Sequence, residues 1–411
     1  MKLSSSPYDK YKVSDNEWYE YLPSEWHEKR VKDIFNLITD LAPKDNDFEL
    51  LSLYTSIGVK PRKEMEQRGN KSVTTDGYWI VKKGDIIVNK LLAWMGAIGL
   101  SEYDGVTSPA YDILRKSNNE VDERFYTYLF RIEKSQAIFK KYSRGIMDVR
   151  LRLYFDKFGA ITVPFPPPSE QKKIANYLDT KTAQIDQKID LLTQKAKLYS
   201  NLKQSLINET VTRGLDKTVP MKDSGIEWID KIPEHWEVHR IKDLSFLQSG
   251  NNIVSEQIEE MGQYPVYGGN GLRGYFSKYT NEGEHILIGR QGALCGNINY
   301  VSNKFWATEH AVVVYLKRSV NMKWYGEILR VMNLNQYSLS AAQPGLAVDR
   351  IKRLFLPVPP LPEQKKIADY LNIKTSQIDK IIATINTQIE KLKELRKTLI
   401  NDVVTGKIKV V

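Results

Sequence analysis

The sequence is poor in the residues that disulfide-linked and membrane proteins need. Its 411 residues contain a single cysteine, Cys295, which excludes a disulfide framework and any metal site built from several cysteines. No apolar run approaches the roughly 20 residues that a membrane-spanning helix requires, and the first residues lack the apolar core of a signal peptide. We therefore expect a soluble, cytoplasmic protein that makes no contact with a membrane.

Catalytic signatures are missing as well. The chain has no phosphate-binding Gly-x-x-x-x-Gly-Lys-Ser/Thr loop, no strand-linked Gly-x-Gly-x-x-Gly, no Gly-x-Ser-x-Gly and no His-Glu-x-x-His. It also lacks the Asn-Pro-Pro-Tyr type of motif used in amino-group methylation. The five histidines show no metal-ligand spacing, and we interpret His310 as a core or hydrogen-bonding residue. The sequence thus predicts no catalytic, cofactor-binding or metal-binding residues on this chain.

What the sequence does contain is one stretch that occurs twice. The segment that begins EQKKIANYL at position 170 returns as EQKKIADYL at position 363, and the two copies stay aligned without a gap to Thr212 and Thr405. Over the first 17 positions of the two copies, 13 are identical. We infer an internal duplication.

Each copy has the pattern of a long coiled-coil helix. Apolar residues recur every seven positions among polar ones, neither copy contains Gly or Pro, and Gly214 and Gly406 lie just past the two ends. At about 1.5 Å per residue, each helix would be roughly 60 Å long. The residues that we place in the seam between the two helices are Leu178, Ile185, Leu192, Leu206, Leu371, Ile378, Ile385, Leu392 and Leu399.

A tryptophan-rich motif is duplicated too, with a larger separation between its copies. It pairs Trp18 with Trp228, Pro23 with Pro233 and Trp26 with Trp236. Because these tryptophans recur in both halves, we interpret them as core anchors. The chain therefore has two halves of one plan, which we divide into a first body (1–163), a first long helix (164–217), a second body (218–356) and a second long helix (357–411).

The bodies carry short strand patterns, with a helix predicted over 122–142 in the first and over 322–334 in the second. A net charge of +10 favours a polyanionic partner, and Arg, Asn and Gln side chains in loops are suited to base edges. For any single residue a solvated surface position is at least as good an interpretation, but as a set we interpret them as nucleic-acid contacts. The candidates are Lys60, Arg62, Asn89, Lys90, Trp94 and Arg144 in the first body, and Asn270, Arg273, Arg290 and Gln291 in the second.

The order of these parts resembles the specificity subunits of type I restriction–modification systems. The resemblance rests on the Pro-Pro-x-x-Glu-Gln-Lys-Lys-Ile-Ala-x-Tyr-Leu start of both helices and on the repeated tryptophan motif, and it covers nearly the whole chain. It implies an α/β (α+β) fold. Two globular target-recognition domains would be separated by two long helices packed as an antiparallel coiled coil, with an internal pseudo-two-fold duplication.

The resemblance also implies a function. Each body would read one half of a bipartite, asymmetric site on double-stranded DNA, while the helices set the spacer and dock two methylation (M) subunits. The M subunits would carry S-adenosylmethionine, and two restriction (R) subunits in the full complex would use ATP and Mg, so this chain would perform no chemistry. The alternative is a coiled-coil assembly scaffold whose bodies bind protein. A self-sufficient enzyme would require methylation or cleavage by the chain alone.

Overall fold

The computed structural model describes residues 5–14, 16–55, 57–64, 75–145, 151–292, 294–317, 319–338 and 345–410. The chain divides into two compact units: Met1–Leu192 with Thr387–Val411, and Thr193–Asn386. Each unit contains one globular body, the start of one long helix and the end of the other.

The first body is a set of short antiparallel strands that packs on a few helices. Its elements, followed by the first long helix, are β1 (Ser5–Ser6), β2 (Tyr11–Val13), β3 (Tyr21–Pro23), β4 (His27–Arg30), α1 (Val31–Ile34), β5 (Phe35–Ile38), β6 (Leu51–Tyr54), β7 (Gly58–Pro61), β8 (Trp79–Val81), β9 (Ile86–Asn89), β10 (Ile98–Leu100), β11 (Gly105–Thr107), β12 (Tyr111–Lys116), α2 (Glu123–Arg131), α3 (Glu133–Tyr142), α4 (Phe155–Phe158), β13 (Thr162–Phe165) and α5 (Pro168–Arg213). The central sheet has the order β10-β9-β12-β5, and all its neighbours are antiparallel. The hairpin β6–β7 lies against the edge strand β10, where a Cβ on Gly99 would be 2.9 Å from Leu53 Cδ1.

The single helix predicted over 122–142 is wrong, because two helices occupy this segment. The backbone of Ile132 is extended, with ψ at 153°, and separates α2 from α3. The break lets Phe130 and Phe139 pack on the same partner, Phe158, at ring-centroid distances of 5.3 and 5.2 Å. In a straight helix, residues nine positions apart lie on opposite faces, since nine residues make about two and a half turns. Core packing therefore requires the break.

The second body repeats the first. Its elements, followed by the second long helix and the last strand, are β14 (Met221–Ile226), β15 (Ile229–Pro233), β16 (Glu237–Arg240), α6 (Ile241–Leu244), β17 (Ser245–Ser249), β18 (Tyr264–Gly268), β19 (Gly271–Phe276), β20 (Asn281–Glu282), β21 (His285–Gly289), β22 (Ile298–Val301), β23 (Lys304–Ala307), β24 (Ala311–Leu316), α7 (Met322–Val331), α8 (Val348–Ile351), β25 (Phe355–Val358), α9 (Leu361–Val404) and β26 (Lys409–Val410). The central sheet β22-β21-β24-β17 matches β10-β9-β12-β5 strand by strand. The strands β12 and β24, which occupy 111–116 and 311–316, have equal lengths and equivalent places in the two sheets. A second sheet, β19-β18-β23-β20, packs against the first through a core that includes Leu287 and Val313 of the first sheet and Phe305 and Ala307 of the second.

The two long helices are present and pack antiparallel. In the first unit the start of α5 contacts the end of α9, and Arg396 Nε lies 2.9 Å from Asp186 Oδ1. In the second unit the end of α5 contacts the start of α9, and Lys203 Nζ lies 2.7 Å from Asp379. The gap-free alignment of the two copies pairs Asp186 with Asp379 and Lys203 with Arg396, so the duplication repeats the ion pair. The predicted fold of two bodies and two antiparallel long helices is confirmed.

The predicted seam residues differ in burial. Leu178, Leu371, Ile378, Ile385 and Leu399 are buried, and Ile185, Leu192, Leu206 and Leu392 are half-buried. A pair of helices covers only a narrow apolar stripe on each member, so residues at the flanks of the seam stay partly open to solvent.

The duplicated tryptophans anchor each body to the start of a long helix. Trp26 Nε1 donates to Glu170 Oε2 at 3.0 Å, and Trp236 Nε1 donates to Glu363 Oε2 at 3.2 Å. Both indoles are completely buried, as the core-anchor interpretation requires, whereas Trp228 is half-buried.

The next residue of the repeated helix motif, a glutamine, makes a second anchor in each unit. Gln171 Oε1 accepts the Asp122 N–H at 3.0 Å, while its Nε2 donates to the carbonyl of Pro166 at 2.8 Å. Gln364 makes the same two bonds, to the Asn321 N–H and to the carbonyl that precedes α9 by two residues, both at 2.9 Å. Asp122 and Asn321 are the N-caps of α2 and α7, so one buried amide joins three chain segments.

Candidate DNA interface

Both bodies place candidate residues at the same corner of the central sheet. Lys90 follows β9 and Arg290 follows β21, and these two strands are equivalent in the repeated sheet. The carbonyl of Lys90 accepts the Leu153 N–H at 2.9 Å, and the carbonyl of Arg290 accepts the Leu346 N–H at 2.9 Å. The duplicated frame therefore presents one corner in each body, built on equivalent strands.

In the first body, the candidate side chains at this corner are hydrogen-bonded or ion-paired to other groups of the protein. Asn89 is buried, and its Oδ1 accepts the Leu91 N–H at 3.0 Å. Lys90 Nζ lies 3.3 Å from Asp112 Oδ1 and donates to the carbonyl of Pro109 at 2.8 Å. Burial raises the pKa of Asp112, and the Lys90 ammonium offsets part of that rise. Both candidate side chains thus have partners inside the protein.

Trp94 and Arg144 lie near this corner but differ in their surroundings. Trp94 packs against the core of the first body, and its Nε1 donates to the carbonyl of Leu91 at 3.0 Å. Arg144 is exposed, and its backbone exchanges two hydrogen bonds of 2.9 Å with Arg152. Trp94 therefore has a structural role, and Arg144 offers its guanidinium at the surface.

Lys60 and Arg62 belong to the β6–β7 hairpin and the turn after it. Lys60 Nζ donates to Tyr103 Oη at 3.1 Å, and this bond raises the pKa of Lys60. Arg62 is half-buried near Tyr111, whose pKa is raised by burial and lowered in part by the guanidinium. Since Tyr111 pairs with Asn89 in the sheet, the structure brings Arg62 toward the corner.

In the second body, three backbone segments converge on the corner with no room for a side chain. A Cβ on Gly289 would be 2.2 Å from the carbonyl oxygen of Gly269. A Cβ on Gly269 would be 2.9 Å from the carbonyl oxygen of Gln291 and 3.1 Å from that of His310. The turn between β18 and β19 therefore lies directly against the residues that follow β21.

This convergence brings together all four residues of the second body that were predicted to contact DNA. Asn270, Arg273 and Gln291 are exposed, and Arg273 Cδ lies beside Gly268 in the same hairpin. Arg290 is half-buried, and its Nη1 donates to the neutral hydroxyl of Ser249 at 3.3 Å. We call this set, with the neighbouring turn at 308–310, the second-body corner. Among the residues that the structure describes, Arg273 and Arg290 have no carboxylate partner like the one that Asp112 supplies to Lys90.

A family model described as the type I restriction modification DNA specificity domain matches residues 23–197 and 233–394. The chain belongs to this family. Each matched segment contains most of one body and the greater part of the long helix that follows it, so the family match repeats with the duplication.

Curated relatives carry the same description. The chain is 36% identical over 218 residues to the type I restriction enzyme EcoprrI specificity subunit of Escherichia coli, a match that covers 53% of this chain and 53% of that one. The matched part thus spans about half the length of that relative. The chain is 23% identical over 425 residues to the MjaVIII specificity subunit of Methanocaldococcus jannaschii, covering 95% of this chain and 94% of that one.

Solved structures of the family share the fold. One, from a study of complex assembly and conformational transition of the type I R-M system, has a TM-score of 0.73 at 16% identity and covers 94% of this chain and 99% of its own. The HsdS subunit from Thermoanaerobacter tengcongensis has a TM-score of 0.55 at 15% identity, with 95% and 98% covered.

Two features of this specificity-subunit fold were missed by reasoning from the sequence. The Glu-Gln pair of the helix motif identified the duplication, but its partners lie far away in the chain and no local pattern reveals them. His310 is half-buried, and its Nε2 lies 3.0 Å from Oε1 of Glu309, which agrees with the hydrogen-bonding interpretation, but its position beside the second-body corner was not predicted. Among the described residues, no cluster of His, Cys, Asp or Glu could hold a metal ion, and no helix is long and apolar enough to cross a membrane.

Proposed function

We propose that this chain is the DNA-reading subunit of a type I restriction–modification complex, and that each body reads one half of a bipartite, asymmetric site. The observation that carries the proposal is a repeated frame whose corners hold different side chains. One corner holds Asn89 and Lys90 with their internal partners, and the other holds Arg290 and Gln291 beside a glycine turn. Cations at such corners would contact phosphates and fix the register, while amide side chains would contact base edges.

The long helices would fix the distance between the half-sites and dock two M subunits. The ion pairs Asp186–Arg396 and Lys203–Asp379 are equivalent under the duplication, and so are the exposed side chains of Leu202 and Leu395. Equivalent surfaces, one in each unit, are suited to binding two copies of the same partner.

The first unit also carries a groove suited to a protein partner. Its volume is about 1230 Å³, and it lies between the helices of the first body and the two long helices. The lining carries charges of both signs, such as Arg124, Arg131, Glu133 and Glu394. A lining of mixed sign favours a polar protein surface over a polyanion.

The chemistry would reside on the partners, and the chain would act with them in the cytoplasm. S-adenosylmethionine would be bound by the M subunits, and ATP and Mg by two R subunits in the full complex. Methylation of a base inside a duplex requires that the base be flipped out, which an M subunit would perform while this chain holds the flanking sequence. The chain itself would be non-catalytic.

The decisive experiment expresses the chain with its M subunits in a host that lacks other methylation and maps the modified bases. We expect one bipartite motif with two unlike halves. The purified complex should bind that site with a logarithm of affinity that falls linearly with the logarithm of salt concentration, as phosphate contacts require. No modified motif and no salt-dependent DNA binding, despite a stable complex with M subunits, would instead support the protein-binding scaffold.

A further inference from the structure

The turn that precedes β12 in the first body and the turn that precedes β24 in the second have the same hydrogen-bonding pattern. In the second body the Thr308 carbonyl accepts the Ala311 N–H at 2.9 Å, and its Oγ1 accepts the His310 N–H at 3.3 Å. In the first body Ser108 makes the same two bonds, at 3.0 and 3.3 Å. A hydroxyl residue therefore builds this turn in each body, three positions before the equivalent strands β12 and β24 begin.

The two residues inside the turn differ completely between the bodies. The second body has Glu309 and His310 where the first has Pro109 and Ala110. Since proline and alanine complete the turn in the first body, the fold does not require a charged residue and an imidazole there.

The Glu309–His310 pair is also poorly bonded within the protein. Nε2 of His310 lies 3.0 Å from Oε1 of Glu309. Among the described residues, the other two polar atoms, Glu309 Oε2 and His310 Nδ1, are enclosed without a hydrogen-bond partner. Within the described part of the chain, the two side chains thus bond only each other, and the pair adds no side-chain hydrogen bond to the rest of the fold.

The backbone of the pair contacts the second-body corner. The carbonyl of His310 accepts the Arg290 N–H at 2.8 Å and lies against the backbone of Gly269. The pair thus belongs to the second-body corner, with Asn270 and Gln291 as neighbours. About 40% of the His310 side chain and 33% of the Glu309 side chain remain exposed to a partner.

We propose that Glu309 and His310 are specificity-determining residues that recognise a C·G base pair in the half-site of the second body. This inference rests on the proposed function. Oε1 of Glu309 keeps a lone pair with which it can accept a hydrogen bond from the cytosine amino group, while Nε2 of His310, 3.0 Å away, holds the carboxylate in position. A carboxylate near phosphates is repelled unless it gains such a bond, so Glu309 would also oppose binding to wrong sequences.

The test gives the second body the turn of the first. The double variant Glu309→Pro/His310→Ala, expressed with M subunits, should still modify a bipartite motif with the first half unchanged. In the second half, discrimination at one C·G pair should fall about 10- to 100-fold, the value of one good base contact. The salt dependence of binding should not change, because no phosphate contact is removed.

Two further variants make the outcome specific. Glu237→Ala/His239→Ala removes another Glu–His pair of the second body, with a separation of 2.7 Å between Glu237 Oε2 and His239 Nε2, and should leave the motif intact. Glu309→Gln keeps the shape of the side chain but adds an amide, which favours adenine, so preference at the same pair should move toward A·T. This variant gives a readout even if the double variant unfolds.

The outcomes separate the inference from the proposed function. If the parent chain modifies a bipartite motif and both Glu309 variants keep that motif at every position, the inference is wrong and the proposed function stands. If the parent chain directs no modification and binds no DNA, both are wrong.

Discussion

At the scale of single residues, two buried glutamines hold the long helices to the bodies. Gln171 is completely buried, and both polar atoms of its amide are hydrogen-bonded. Its Oε1 accepts the Asp122 N–H, and its Nε2 donates to the carbonyl of Pro166. Gln→Ala leaves two backbone groups without these partners, and each such group costs about 1–3 kcal/mol when it is buried. We expect Gln171→Ala to lower the free energy of unfolding of the first unit by about that amount or more, as measured by urea denaturation.

The same helix offers a matched control. Gln187 is exposed, so Gln187→Ala should change the free energy of unfolding by no more than about 0.5 kcal/mol. Gln364→Ala should reproduce the loss in the second unit, because its two bonds are the same. Equal stability of the Gln171 and Gln187 variants would show that the buried amide does not anchor the helix.

Residue roles could be predicted from the sequence only where the partner is close in the chain or is repeated. The recurrence of Trp26 and Trp236 was enough to predict core anchors, and both are buried. The bond from Lys90 to Asp112 was not predictable, since it depends on the register of β9 against β12. The exposure of His310 was likewise hidden, because a histidine beside a strand pattern looks the same whether its side chain faces the core or a loop.

At the scale of elements, the long helices followed directly from the sequence and the short ones did not. A seven-residue apolar repeat that continues over such a length fits only a long helix. The bounds of α5 and α9 were therefore predicted to within a few residues at either end. The break at Ile132 was missed because apolar residues recur at helical spacing both before and after it, as they would in one continuous helix. Only the shared partner Phe158 reveals that two helices are needed.

The heptads support a prediction about spacing. Seven residues inserted after Ala196 in α5 and seven after the equivalent Ile389 in α9 preserve the apolar phase, and each unit keeps its own ion pair. Seven helical residues add about 10 Å, which corresponds to about 3 base pairs. We expect the modified motif to keep both halves and to gain a spacer longer by up to about that number, as read by methylation mapping.

The insertion in α5 alone serves as the control. It lengthens one helix between the two units and leaves the other unchanged, so the pairing in one unit must slide or the helix must bulge. We expect altered or abolished recognition from this single insertion. An unchanged spacer in the double insertion would mean that the helices do not set the distance between half-sites.

At the scale of the whole molecule, the duplication makes the two bodies interchangeable in principle. Each body is bounded by an antiparallel strand pair, β4 with β13 in the first and β16 with β25 in the second, so its two junctions lie side by side. Each also presents the backbone N–H of an N-cap residue to the glutamine of its long helix. The frame thus fixes how a body is attached to its long helix, and the side chains at the corner are what differs between the two bodies.

This leads to a prediction about the symmetry of the site. Replacing residues 31–165 with a copy of residues 241–358 gives a chain with the second body in both positions. Gln171 would then bond the N-cap copied from Asn321, and Asp179, which now pairs with Arg124, would face the lysine copied from Lys323. The attachment is therefore retained, and we expect a folded chain that still binds M subunits.

Because the helices run antiparallel in each unit, two identical bodies on them should read two identical half-sites in inverted orientation. Methylation mapping should yield a palindromic bipartite motif built from the half that the second body reads in the parent chain. The parent, with its asymmetric motif, is the control. A motif that kept the first half of the parent site would show that residues outside 31–165 read that half, and a direct repeat would contradict the expected inversion.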